Sequence, residues 1–148
     1  LRNAAVLLNE PPPGSPGEVL RHFQQQAAPL YEAIAALSGK PAASAAPLGG
    51  AVMLVEEARL MCAEHTRFAA ADGDFDVPAL MATATEALDD ALSNVAPTER
   101  GALRTLLIQG ALARRWLDTA APGDAYKAPA LPPLRKLWIA WRTARKNV

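Results

Sequence analysis

Apolar residues recur along most of this chain at alternating spacings of four and three, the period that places side chains on one face of an α-helix. The first such stripe runs through Phe23, Ala27, Leu30, Ile34 and Leu37. Its start is marked by "SPGE": Ser15 can cap, Pro16 suits the first helical position, and Glu18 stands where a capping box places a carboxylate. Pro29 falls inside the stripe, and the unbroken period favours a kinked helix over two helices meeting near Ala28.

Three more stripes follow. One comprises Leu54, Ala58, Met61, His65 and Phe68, and the next Val77, Met81, Ala84, Leu88, Ala91 and Val95, with Asp76 as its cap. The fourth starts near Thr98 and carries Leu103, Leu106, Gly110, Ala113 and Leu117. Gly110 on a packing face predicts a close helix crossing, at a propensity cost of about 1 kcal/mol against alanine. Stretches rich in proline, glycine and small residues near 11–17, 39–50 and 121–133 read as connectors. The opening "LRNAAVLLNE" suits a short helix, and no stretch shows the alternation of a strand. The fold expected is all-α: an antiparallel four-helix bundle with a short N-terminal helix and a basic amphipathic C-terminal one, in a single domain over 1–148.

Composition agrees with helices. Half the residues are hydrophobic but only 5% are aromatic, and much of the rest is alanine, which loses no side-chain entropy in a helix. At 148 residues the chain can bury one core without covalent staples. The single cysteine, Cys62, cannot pair within the chain, so the expected location is cytoplasmic. The longest nearly uncharged stretch is broken by Lys40, Pro41 and Pro47, and is no membrane span. The chain opens on Leu1 rather than methionine, so the lack of a signal peptide at this end decides little.

Charge changes the picture more. Residues 1–124 hold nine Lys/Arg against fifteen Asp/Glu, a net of −6, whereas residues 125–148 hold six basic residues and no acid, a net of +6. Such a division points to an anionic partner, or to a tail folded onto its own acidic body.

Candidate chemistry elsewhere is thin. "DGDFD" sets Asp72, Asp74 and Asp76 at the first ligand positions of a calcium loop, but Val77 and Thr83 stand where that loop needs glycine and glutamate. A solvated turn is the expectation. Cys62 and His65 have a spacing that two metal ligands can use, yet His22 is the only other histidine and no second cysteine exists. His65 instead reads as a core histidine between Met61 and Phe68. No phosphate loop, nucleophile elbow or HExxH is present. No metal, cofactor or catalytic residue is expected.

The closing "PPLRKLWIAWRTARKNV" remains. On a helical wheel Leu134, Leu137, Trp138, Trp141 and Val148 gather within about 100° of arc. Arg135, Arg142 and Lys146 form a neighbouring sector, Arg145 sits at the rim of the apolar face, and Lys136 lies on the far side. The first expectation is that both tryptophans pack on the bundle, with the cations turned to solvent or to acids such as Asp89 and Asp90. The second is that the basic sector, with Arg114 and Arg115, lies along nucleic-acid phosphates. The third is that the apolar face enters a partner's groove or an anionic membrane surface. The function expected is a non-catalytic interaction module that binds nucleic acid or a nucleoprotein assembly through this helix. A protein adaptor without nucleic-acid contact comes next, and an enzyme with an inter-helix site near His65 third.

Overall fold

The computed structural model describes residues 14–38, 42–62, 77–120 and 130–146, without the side chains of residues 31, 32, 34–36 and 38. Five helices and no strand lie among them: α1 (Pro16–Ser38), α2 (Ala45–Cys62), α3 (Val77–Ser93), α4 (Arg104–Thr119) and α5 (Pro133–Lys146). They form a helical bundle centred on α2, which packs against α1, α3 and α4. α3 also meets α1 and α4, while α5 packs on α4 alone among the described helices. The leading helix expected over 1–10, the acidic "DGDFD" turn and His65 lie outside the described residues.

The start of α1 follows its sequence. Ser15 Oγ accepts the Glu18 N–H at 3.3 Å, and the Glu18 carboxylate reaches back to the Gly14 N–H at 2.7 Å. The carboxylate thus satisfies a donor one residue earlier than a standard capping box would. The helix continues through Pro29 as a single element. Phe23 and Ala27 of its stripe are buried, with Val19 one turn earlier, whereas Leu30 and Leu37 are exposed.

α2 begins earlier than its stripe suggests. Residues 45–50, expected within a connector, are helical, and Ala45, Leu48, Gly49, Gly50 and Ala51 are all buried. Pro47 lies in the first turn, where its missing N–H would have had no intrahelical partner. Gly50 is there for proximity rather than for a turn. A Cβ on Gly50 would stand 2.9 Å from the backbone N and 3.0 Å from the Cα of Gln24, so only a glycine lets α1 and α2 cross this closely. Gly110 plays a milder version of the part expected of it, because its neighbours are the side chains of Leu92, Leu48 and Leu88, the nearest 3.2 Å from a Cβ.

The remaining core matches the predicted stripes with small rotations. Val77, Ala84, Leu88, Ala91 and Val95 are buried in and after α3, with Leu80 fully buried in the place expected of Met81 and Met81 only partly so. α4 starts later than expected, at Arg104, because residues 97–103 form turns. It buries Leu106, Leu107, Gly110, Trp116 and Leu117. Trp116 is the aromatic that fills this part of the core, removing on the order of 200 Å² from water.

Candidate functional site

α5 is entered through Leu131, which is buried in the core, and Pro133 occupies the first helical position. The helix itself has no buried residue. Ile139, Ala140, Thr143 and Ala144 are half-buried, and mark the side that rests on α4. This is largely a face of small residues, which lets two helices approach closely.

The apolar face points elsewhere. Leu134 is 81% exposed, Leu137 67%, Trp138 52% and Trp141 57%. The expectation that both tryptophans pack on the bundle is therefore corrected. The wheel rightly grouped these side chains on one face, but the small-residue face is the one that docks. The core has already closed around Trp116, Leu117 and Leu131 without them.

Two of the cations belong to the same ridge. The Arg142 guanidinium lies 5.2 Å from the centre of the Trp138 ring, and that of Arg145 lies 4.9 Å from the centre of the Trp141 ring. Each pair is spaced i, i+4, so the helix supplies the register. Such contacts contribute about 0.5–1 kcal/mol when exposed. They also explain Arg145, whose place at the rim of an apolar face had no rationale on the wheel. Among the described residues, no carboxylate forms an ion pair with Arg135, Arg142, Arg145 or Lys146.

Arg114 and Arg115 differ. Arg114 meets Asp89 of α3 at 2.8 Å and Asp118 at 3.0 Å, while Arg115 meets Asp118 at 3.7 Å. Their charge is answered within the bundle. Asp89 is thus engaged by α4, and Asp90 accepts the Asn94 side-chain N–H at 3.0 Å. Neither acid serves as the counter-charge imagined for the C-terminal helix.

A second polar cluster escaped the sequence reading. Glu99, buried in the turn before α4, accepts the Ala43 N–H at 2.6 Å and the Ser44 hydroxyl at 2.5 Å. It ties that turn to the two residues just before α2, where a carboxylate also meets the positive end of the helix dipole. The Ser44 hydroxyl is the main cause holding the Glu99 carboxyl below its usual range; burial opposes it, and backbone groups of Ala43, Ser44 and Ala96 assist. This cluster is a structural clamp, with every polar atom partnered.

Other candidates carry little. Cys62 is buried and desolvation pushes its thiol up, so it is a poor nucleophile. His22 is half-buried on α1 and shares a hydrogen bond with the Gln26 side chain at 2.7 Å. Among the described residues no group of three potential ligands could hold a metal ion, and no helix is long and apolar enough to cross a membrane. Compared with family models, with curated proteins and with solved structures, the chain matches none.

Proposed function

We propose that this chain is a non-catalytic helical interaction module whose contact element is α5. The observation that carries the reading is the exposed ridge of Leu134, Leu137, Trp138 and Trp141, with Arg142 and Arg145 lying on its tryptophans. Full burial of one such side chain is worth about 1.5–3 kcal/mol, so a partner that covers the ridge recovers several kcal/mol that folding leaves unused. The partner is one that offers apolar surface beside negative charge. In this reading α1–α4 are an antiparallel scaffold, an order supported by the direct packing of α2 on α1 across a short connection. The module works in the cytoplasm, where the lone buried thiol of Cys62 stays reduced.

A second reading takes nucleic acid as the partner. It is favoured by Arg135, Arg142 and Lys146 on one flank and by indole rings open to base stacking. Arg114 and Arg115 contribute less to it, being paired with Asp89 and Asp118. Fluorescence anisotropy with single- and double-stranded DNA of mixed sequence tests it. Binding that weakens steeply with salt and is lost in R135A/R142A/K146A supports nucleic acid; no binding at low salt rejects it. The broader proposal fails if Trp138→Ala with Trp141→Ala changes binding to none of DNA, acidic polypeptide or anionic lipid.

A further inference from the structure

We infer that the occupant of the α5 ridge is an anionic lipid surface, on which the helix lies flat; this rests on α5 being the contact element. α5 is the outlying helix of the bundle, touching only α4 among the described helices, so its outer side can meet a flat surface without the helix detaching. Its 14 residues make a helix about 21 Å long, and the apolar ridge from Leu134 to Trp141 takes about 11 Å of it. That ridge combines the two components of an interfacial helix, an apolar strip of leucine and tryptophan and a flank of Lys and Arg.

Three further observations favour lipid over the alternatives. Leu134 and Leu137 are the most exposed side chains of the strip. Aliphatic groups gain nothing along a phosphate backbone, but they gain much at the acyl boundary of a bilayer. Arg142 and Arg145 lie over Trp138 and Trp141, which puts each guanidinium beside a ring whose preferred level is the headgroup layer. Finally, the cations occupy several azimuths of the helix: Arg135, Arg142 and Lys146 in one sector, Arg145 on the ridge itself. A protein groove would need carboxylates fixed opposite each of them, whereas mobile headgroups adapt to any arrangement. The charge division, −6 over residues 1–124 and +6 over residues 125–148, turns the C-terminal segment toward a negative surface and the rest of the chain away.

The test is co-sedimentation of the full chain with vesicles of phosphatidylcholine alone and of equal parts phosphatidylglycerol and phosphatidylcholine, with tryptophan emission read alongside. Binding to the mixed vesicles with a blue shift is expected, with little binding to the neutral ones. The W138A/W141A variant should bind at least about tenfold more weakly. The R135A/R142A/K146A variant should lose about a hundredfold, from about 1 kcal/mol for each cation near the surface. Unchanged thermal unfolding shows that both variants are folded, as substitution at exposed positions predicts. Absence of binding to the mixed vesicles at low salt overturns the inference, as does equal binding by wild type and W138A/W141A. If vesicles are not bound but single-stranded DNA is, and W138A/W141A loses it, the lipid assignment falls while α5 remains the contact element. If the variants alter neither, both fall.

Discussion

α2 and α5 both carry large apolar side chains, and those side chains meet opposite fates. α2 buries residues on nearly every side, including two glycines, because α1, α3 and α4 all pack on it. α5 carries two tryptophans and two leucines and buries none of them, because α4 is its only neighbour among the described helices. α2 is the more apolar helix and has three neighbours, whereas α5 carries five cations and has one among the described helices, so its apolar strip is left uncovered. A side chain such as Leu54 contributes to stability; one such as Leu137 is left exposed.

The widest gap should appear on truncation of equivalent leucines. Leu54 is fully buried, so Leu54→Ala should destabilise by about 2–5 kcal/mol, the transfer loss plus the cavity left behind. Leu137→Ala should stay within about 0.5 kcal/mol of wild type. Urea unfolding of the two variants measures both. Equal losses would mean that α5 is part of the core and would remove the basis of its functional assignment.

Next in size is the glycine at the α1–α2 crossing. In an ordinary helix Gly→Ala stabilises by about 1 kcal/mol through propensity. At Gly50 the added Cβ meets the Gln24 backbone, which cannot rotate aside. Gly50→Ala is therefore expected to reverse sign and destabilise by about 1–3 kcal/mol, the usual range for overpacking. Gly101, with open space around it, is the control, and Gly101→Ala should not show that loss. A stabilised Gly50→Ala variant would show that the two helices are not in close contact.

These two sites also show what could be read from the residues and what could not. The α1 cap was legible because Ser15, Pro16 and Glu18 act locally, within one turn. The α3 stripe was legible because one face of it meets one core. The start of α2 was missed because Pro47, Gly49 and Gly50 resemble linker punctuation, although Ser44 directly before the helix is an N-cap residue type that could have signalled it. Nothing local links Ser44 to Glu99, 55 residues away; that contact exists only once the bundle has formed. For α5, periodicity identified the faces correctly but could not orient them. A wheel says which side chains travel together, and the choice of face belongs to the neighbour.

The Glu99 clamp should give a smaller effect with a pH signature. Its carboxyl lies below the ordinary Glu value of 4.5 when folded, so the folded state favours the charged form. The contribution is complete above that ordinary value and is lost as pH falls through the lowered folded one. Glu99→Gln keeps the shape but removes the charge, and should cost on the order of 1 kcal/mol at neutral pH. Between pH 5 and the acid limb, unfolding free energy should fall less steeply in Glu99→Gln than in wild type. Identical slopes would mean that the Ser44 hydrogen bond does not favour the ionised carboxyl.

The smallest expected effect bears most directly on the contrast between the helices. W138A/W141A should leave the unfolding free energy within about 0.5 kcal/mol of wild type, since the rings are half-exposed and each has an arginine of its own helix lying over it. A change that small is informative only with a probe of exposure beside it, and Trp116 supplies the contrast because it is buried. Acrylamide should quench the wild type through Trp138 and Trp141. In the double variant the emission left, from Trp116, should be bluer and weakly quenched. If the double variant instead loses several kcal/mol, or if wild-type emission is already blue and protected, then the ridge is covered in the free protein. α5 would then be a second α2, held by neighbours rather than awaiting a partner.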